Sequence, residues 1–212
     1  MGADIHGRVQ IRYDYSAKWQ DAGSIEDDRN YRVFAMLAGV RNGYGFAGCN
    51  THEPLVPISE PRGLPADADI VDGDSVLIYE WDDDEHVSRK QWLGDHSHSW
   101  LTIHEISSWD GWTRPLEMSG VIEREEWEAM QAEGRTEPKS WSGGVMGPSI
   151  RIVEPHQVST TPTYTHVQYN WTVTFHEYAQ TFYKWIQYME CKYAWMIERD
   201  PGSVRIIFGF DS

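Results

Sequence analysis

Strand-like alternation of apolar and polar residues is the feature that most limits the possible folds. From Ile5 to Tyr13 the chain places Ile5, Val9, Ile11 and Tyr13 on one side and His6, Arg8, Gln10 and Arg12 on the other. The same period recurs from Val167 to Phe175, and Val204 to Phe210 is a further strand-like run. The sequence shows neither regular strand–helix–strand alternation nor a GxGxxG or GxxxxGK[ST] loop. It therefore predicts one α+β domain with a mainly antiparallel or mixed sheet, packed helices and long ordered loops.

Apolar spacing and capping residues predict four helices. The first runs from Tyr31 to Arg41, with Asp28 or Asn30 as its cap and Gly43 at its end. Thr102 and Glu105 form a capping box for a short helix, which makes the preceding stretch, 95–100, a loop. Two more helices are expected from Glu123 to Glu133 and from Glu177 to Ile197.

The chain of 212 residues has 33 acidic and 18 basic residues, which gives a formal charge of −15. Such a charge repels phosphate backbones, and no cluster of Lys and Arg offsets it, so non-specific nucleic-acid binding is not expected. No apolar run reaches the roughly 18 residues of a membrane span, and the first residues do not form a signal peptide. We therefore expect an intracellular protein without a membrane partner, whose two cysteines are reduced thiols.

The acidic residues are concentrated in one segment. Nine of them lie between Ala66 and Glu85, a stretch without Lys or Arg that contains a strand-like run from Val76 to Tyr79. This pattern predicts a solvated hairpin inserted at about 66–90. A calcium loop at DADIVDGDS is the alternative, although it lacks the bidentate Glu at the twelfth position.

Five blocks of sequence carry a family resemblance: MGADIH, RNYRVFAMLAGVRN, PISEPRGLP, DHSHSWLT and VRIIFGFD. Together they resemble a family of tailed-phage proteins that open with MG, then Cys or Ala, then DIH, and that have no assigned activity. The resemblance implies a phage-encoded protein that works in the cytoplasm of a host bacterium. Phage accessory proteins of this size often counter host defences, including those that signal through small nucleotides.

Histidines and carboxylates suggest one composite site. Asp4 and His6 lie two apart on the first strand, and Asp95, His96 and His98 lie on the predicted loop. His6, His96, His98 and Asp4 are the candidate catalytic groups, and the same four are the candidate ligands of a divalent metal. A metal-free polar pocket and a purely structural role are the competing interpretations.

Further residues suit a phosphate-bearing ligand. Arg29, Arg41 and Arg62 stand in motifs or loops, where they either hold phosphate oxygens or form ion pairs with the surplus acids. Asp95, Ser97 and Ser99 accompany the histidines before the helix start at Thr102, whose amides favour an anion. Aromatic rings for stacking on a base flank these segments, namely Tyr44, Phe46, Trp92 and Trp100.

Three functions follow as hypotheses. The first is a counter-defence protein that binds a small phosphate-bearing nucleotide and either sequesters it or hydrolyses it as a phosphodiesterase would. The second is an acidic inhibitor of the DNA-mimic type, which binds a basic host protein through the acidic segment. The third is a minor structural protein of the phage. The sequence does not identify a cofactor, and a divalent metal is the one candidate that it offers. It is compatible with a homo-oligomer.

Overall fold

The computed structural model describes residues 2–13, 18–25, 29–43, 53–82 and 85–211. It is an α+β protein with antiparallel and mixed sheets, which confirms the predicted fold class. The chain divides into two compact units: residues 1–110 together with 179–212, and residues 111–178. The sequence predicted one domain, and the second unit is a continuous stretch that interrupts the first.

The strands in chain order are β1 (Asp4–Ile11), β2 (Gln20–Ser24), β3 (Ile70–Asp72), β4 (Ser75–Asp82), β5 (Glu85–Trp92), β6 (His96–Thr102), β7 (Pro115–Glu123), β8 (Ile152–Val153), β9 (His166–Thr174) and β10 (Val204–Asp211). The helices are α1 (Tyr31–Ala38), α2 (Ile103–Ser107), α3 (Arg124–Glu133), α4 (Phe175–Tyr178), α5 (Gln180–Lys192) and α6 (Ala194–Arg199). None of the helices in the described residues is long and apolar enough to cross a membrane.

The first unit is built on a four-stranded antiparallel sheet in the order β2-β1-β10-β6. β1 pairs with β10 along its whole length, from Asp4 opposite Asp211 to Ile11 opposite Val204. Because alternate residues point to opposite faces, β10 places Ile206, Phe208 and Phe210 on one face, where Phe34 of α1 meets Phe210 with ring centroids 5.2 Å apart. The other face, which we call the polar face, carries Asp4, His6, Arg8, Gln10, Arg205, Gly209 and Asp211.

The hairpin prediction for the acidic segment is confirmed, since β3, β4 and β5 form an antiparallel sheet. β3 is exposed, but Val76 and Ile78 of β4 are buried and form a cluster with Leu93 and Ile207 of β10. The insertion is therefore not only a solvated hairpin, because it also covers part of the polar face.

Several acids of this segment are paired within the chain. Asp72 binds Lys90, Glu80 binds Arg8 and Arg89, and Asp67 binds Arg205. No group of three or more His, Cys, Asp or Glu in the described part of the chain could hold a metal ion, so the calcium-loop alternative finds no support there.

Helix boundaries follow local signals in part. Asn30 caps α1 by accepting hydrogen bonds from the Arg32 and Val33 amides, and α1 ends at Gly39 in the left-handed region, four residues before the predicted Gly43. The predicted helix from Glu177 to Ile197 is wrong as one element. The chain leaves helical geometry at Ala179 and at Tyr193, which gives α4, α5 and α6.

The second unit contains a three-stranded sheet in the order β7-β9-β8. β7 and β9 are antiparallel, β8 and β9 are parallel, and α3 contributes Trp127 and Met130 to a core with Ile122 and Val167. Both the predicted helix at 123–133 and the predicted alternation along β9 are confirmed.

Candidate functional site

His6 lies on the polar face of the sheet near the start of β1. Its Nε2 is 3.2 Å from Oδ2 of Asp211, and its ring lies on the half-exposed Trp92 with centroids 4.6 Å apart. The approach to Asp211 is poorly aligned, since Nε2 of His6 makes no hydrogen bond of standard geometry. Burial raises the pKa of the Asp211 carboxyl, but His6 and the Asp4 amide outweigh burial and leave that pKa below its usual range.

Two of the three predicted arginines lie near the start of β1, Arg29 at Asp4 and Arg41 at Tyr31. Arg29 binds Asp4 through two nitrogens, with Nε 2.9 Å from Oδ1 and Nη2 3.2 Å from Oδ2. Tyr31, the first residue of α1, connects this helix to the residues before β1, because its hydroxyl accepts a hydrogen bond from the Ala3 amide at 3.3 Å. The guanidinium of Arg41 lies 5.9 Å from the Tyr31 ring. We call Asp4, His6, Arg29, Trp92 and Asp211 the His6 cluster.

His98 lies on the same face as His6, on the other side of β10. Gly209 is the register partner of His6, and a Cβ added to Gly209 would lie 2.5 Å from Cδ2 of His98. Only a glycine allows the His98 ring this close to β10. Nε2 of His98 is 3.1 Å from the Gly94 carbonyl, which can only accept, so Nε2 carries the hydrogen.

The predicted partnership of His96 and His98 is wrong. The segment is strand β6 rather than a loop, and Ser97 has a left-handed backbone with φ 51° at a register irregularity. His96 consequently pairs with Phe210 and stacks on its ring at 6.2 Å, on the face opposite to His98. One ligand cannot use both histidines as acid and base.

The predicted metal site fails for the same geometric reason. His96 lies on the opposite face of the sheet, and Asp4 binds Arg29. Asp95 is exposed and lies 4.0 Å from His96, which leaves two ligands on that side. The four predicted ligands therefore do not form one donor set, in agreement with the lack of a suitable cluster among the described residues.

The other predicted ligand-binding residues lie apart from the His6 cluster. Ser99 is fully buried, and its hydroxyl accepts a hydrogen bond from the Arg62 amide at 3.1 Å, so it has no surface for a ligand. Arg62 binds Glu105 at 2.7 Å and lies over the Trp100 ring at 4.8 Å. The hydroxyl of Ser97 contacts Nδ1 of His96 at 3.0 Å, and Tyr44 lies outside the described residues.

The predicted capping box is confirmed and changes the expectation of an anion site. The Glu105 amide donates to Oγ1 of Thr102 at 3.0 Å, and the Thr102 amide donates to Oε2 of Glu105 at 2.8 Å. Burial raises the pKa of Glu105, but Arg62 and the Thr102 amide overcome it and leave the pKa lowered. The protein's own carboxylate therefore fills the place predicted for a phosphate.

Sequence reasoning missed a second charged group on the polar face, which we call the Arg205 cluster: Gln10, Arg12, Trp19, Asp67 and Arg205. Arg205 is 3% exposed, donates to Gln10 at 3.0 Å and to Asp67 at 2.7 Å, and its guanidinium lies 3.7 Å from the Trp19 ring centroid. Burial lowers the pKa of Arg205, and Asp67 opposes that shift. The alternation around Gly209 could have indicated Arg205 and Asp211 as residues of one face.

No family model, curated protein or solved structure matches the chain in comparisons with known proteins.

Proposed function

We propose that the protein is a phage-encoded counter-defence protein that binds a small phosphate-bearing nucleotide at the His6 cluster. The observation that supports this most is the position of Arg29 beside Asp4, two residues from His6, with Arg41 at the adjoining Tyr31 ring. The guanidinium groups of Arg29 and Arg41 both lie near the Tyr31 side chain, in a chain whose formal charge is −15. The phage origin and the counter-defence role rest on the family resemblance alone.

Each group of the cluster has a defined task in binding. The Arg29 guanidinium exchanges its partner from Asp4 to phosphate oxygens, which it can hold with two nitrogens. His6, whose Nε2 is buried 3.2 Å from Oδ2 of Asp211, contacts the Trp92 ring, and Trp92, 41% exposed, offers that ring for base stacking. In a hydrolytic version Nδ1 of His6 accepts the proton of the water that attacks phosphorus, while Asp211 orients the ring through Nε2. The bond from phosphorus to the leaving oxygen breaks, and that oxygen takes up the proton.

The experiment is titration calorimetry with a panel of cyclic di- and trinucleotides and ADP-ribose derivatives. We expect one of them to bind, and Arg29→Gln to weaken its binding about tenfold, or about 1.4 kcal/mol. Arg114→Gln, an exposed arginine of the second unit, is the matched control and should change nothing. Absence of binding by the whole panel, or equal effects of the two substitutions, would refute the proposal.

Chromatography of the ligand after denaturation separates the two versions. Intact ligand indicates sequestration, whereas a product that disappears with His6→Asn, while binding persists, indicates hydrolysis. The acidic-inhibitor alternative gains no comparable support, because Asp67, Asp72 and Glu80 are already bound to cations of this chain.

A further inference from the structure

A cavity of about 120 Å³ lies in the second unit, at the outer edge of β7. The side chains that matter for its chemistry are those of Val121, Glu123, Ser140, Val145 and His166. At about 30 Å³ for each molecule of liquid water, the cavity has room for roughly four water-sized groups. It therefore suits the end of a small, unbranched ligand.

The segment between α3 and β8 forms one wall of the cavity. Val121 and Ser142 exchange two backbone hydrogen bonds, at 2.8 and 3.0 Å, so residues 140–142 run beside β7. This antiparallel pairing places Ser140 opposite Glu123, and Glu123 is in turn opposite His166 of β9. Three polar side chains from three neighbouring segments thus share one face of the sheet.

Glu123 contributes a carboxylate that has no partner among the described residues. It occupies the N-cap position of α3, but its side chain accepts no hydrogen bond from the first amides of that helix. In the described part of the chain it also forms no ion pair. Its charge is therefore available to a ligand.

Hydrogen bonds determine which nitrogen of His166 can accept. Oγ1 of Thr165 donates its one hydrogen to the Arg151 carbonyl at 3.2 Å, so Nδ1 of His166, 3.0 Å from that oxygen, must be the donor to it. In the neutral ring Nε2 then carries the free lone pair. With Glu123 and the Ser140 hydroxyl, the cavity offers three hydrogen-bond acceptors.

We propose that this cavity, the β7 pocket, binds a primary ammonium group on a short alkyl chain. The three N–H donors of such a group match the acceptors of Glu123, Ser140 and His166. The alkyl chain lies against Val145 and against Val121, which is 4% exposed and forms an apolar floor. An anion would be repelled by Glu123, and a neutral ligand would leave that carboxylate without a counter-charge.

The charges around the β7 pocket favour a cation from solution. The cations nearest to the lining residues in sequence already have partners, namely Arg124 with Glu128, Lys139 with Glu133, and Arg151 with Thr163. The formal charge of −15 also attracts cations to the molecule as a whole. This binding goes beyond the nucleotide site proposed at the His6 cluster, which lies in the first unit and uses none of these residues.

The test is an NMR titration of the full chain with propylammonium chloride. We expect the amide signals of Val121, Ser142 and His166 to shift and to saturate with a dissociation constant on the order of 1 mM, reasonable for a ligand of about four non-hydrogen atoms. Glu123→Gln is expected to weaken binding about fivefold, the upper end for an exposed ion pair. Glu125→Gln removes an exposed carboxylate outside the pocket and, as the matched control, should leave the affinity unchanged.

Two further ligands with the same alkyl chain test the chemistry of the head group. Propanol lacks the charge, and propyltrimethylammonium keeps the charge but has no N–H donor. Each should bind at least about fivefold more weakly than propylammonium. Equal binding of either one, equal effects of the two substitutions, or shifts spread over residues outside the pocket would overturn the proposal.

Two larger amines distinguish the sources of the ammonium group. Tighter binding of diaminobutane indicates a free diamine, whereas tighter binding of Nα-acetyl-lysine methylamide indicates the lysine side chain of a peptide. The amide spectrum of each variant shows whether its fold is intact. Arg29→Gln should leave propylammonium binding unchanged, and Glu123→Gln should leave nucleotide binding unchanged, so failure here and failure at the His6 cluster are told apart.

Discussion

The His6 cluster and the Arg205 cluster use the same residue types on the same face of one sheet, but they differ in burial. Arg205 is 3% exposed and lies over the Trp19 ring, whereas the Arg29 side chain is 53% exposed. Both guanidinium groups bind an aspartate. The comparison teaches that an Arg–Asp pair in this protein is a structural element where the chain covers it and an accessible group where the chain leaves it open.

The cause of the difference is what packs over each end of the polar face. Trp19 is buried and donates its indole hydrogen to Asp67 at 2.8 Å, which closes the Arg205 end. At the other end Trp92 contacts His6, with the two rings tilted by 46°, but it stays 41% exposed. Stability should therefore depend on the first cluster and ligand binding on the second.

Removal of the Asp67 carboxylate should give the largest effect on stability. Asp67→Asn leaves the Arg205 guanidinium buried without its counter-charge, and we expect a loss of about 2–4 kcal/mol in the free energy of unfolding. Urea denaturation followed by tryptophan fluorescence measures it. Asp72→Asn, which breaks the exposed pair with Lys90, is the control and should cost less than about 1 kcal/mol. Equal losses would remove the distinction between the clusters.

A side chain at Gly209 should disturb the His6 end through packing. Gly209→Ala places a methyl group 2.5 Å from Cδ2 of His98 and even closer to the Leu93 carbonyl, so we expect a loss of about 1–3 kcal/mol. Gly143→Ala meets no atom within 4 Å and should change stability by less than about 0.5 kcal/mol. Denaturant midpoints compare the two. A neutral Gly209→Ala would mean that His98 does not lie against β10.

Lowering the pH should reduce the stability that the Arg205 cluster contributes to the folded protein. Burial raises the pKa of Asp67, but hydrogen bonds from Trp19 and Arg205 hold it below its usual 3.8. A carboxyl with a lowered pKa in the folded state contributes stability above its unfolded pKa and loses it as the pH falls through the folded value. The difference in stability between wild type and Asp67→Asn should thus be full at pH 6 and shrink below about pH 4.

Denaturation series at several pH values measure this difference. If the difference in free energy of unfolding between wild type and Asp67→Asn stays constant into the acid range, Asp67 is not charge-paired in the folded protein.

Loss of the Arg29 charge should give the smallest effect on folding. Arg29 and Asp4 are both more than half exposed, so Arg29→Gln should change the free energy of unfolding by about 0–1 kcal/mol while it weakens nucleotide binding. Thermal unfolding checks the first statement and calorimetry the second. A large loss of stability would place Arg29 with Arg205 among the structural arginines.

Local signals were enough for several elements. Alternation predicted β1 and β9, a strand-like run predicted β10, and Asn30 and the capping box of Thr102 with Glu105 predicted two helix starts. In each of these the cause lies within a few residues of the effect. The candidate site was anticipated only as a set of residue types, of which Asp4, His6, Arg29 and His98 do share one face or its edge.

The features that the sequence did not predict depend on contacts between residues far apart in the chain. β6 is a strand because β10, about a hundred residues later, pairs with it, and the left-handed Ser97 then separates His96 from His98. The motif around Arg62 predicted that this residue could bind phosphate. In the structure Arg62 instead binds Glu105, which lies 43 residues later in the chain. Such partners carry no local signature.

The position of β10 in the sheet sets an order of events during synthesis. This strand lies between β1 and β6, and the Asp4 amide bonds to an aspartate 207 residues later. The second unit, 111–178, is contiguous and complete in the chain well before β10 leaves the ribosome. We expect the second unit to fold first, since closing long loops slows strand pairing. The His6 cluster forms only once β10 has paired with β1, because this pairing brings Asp211 to His6.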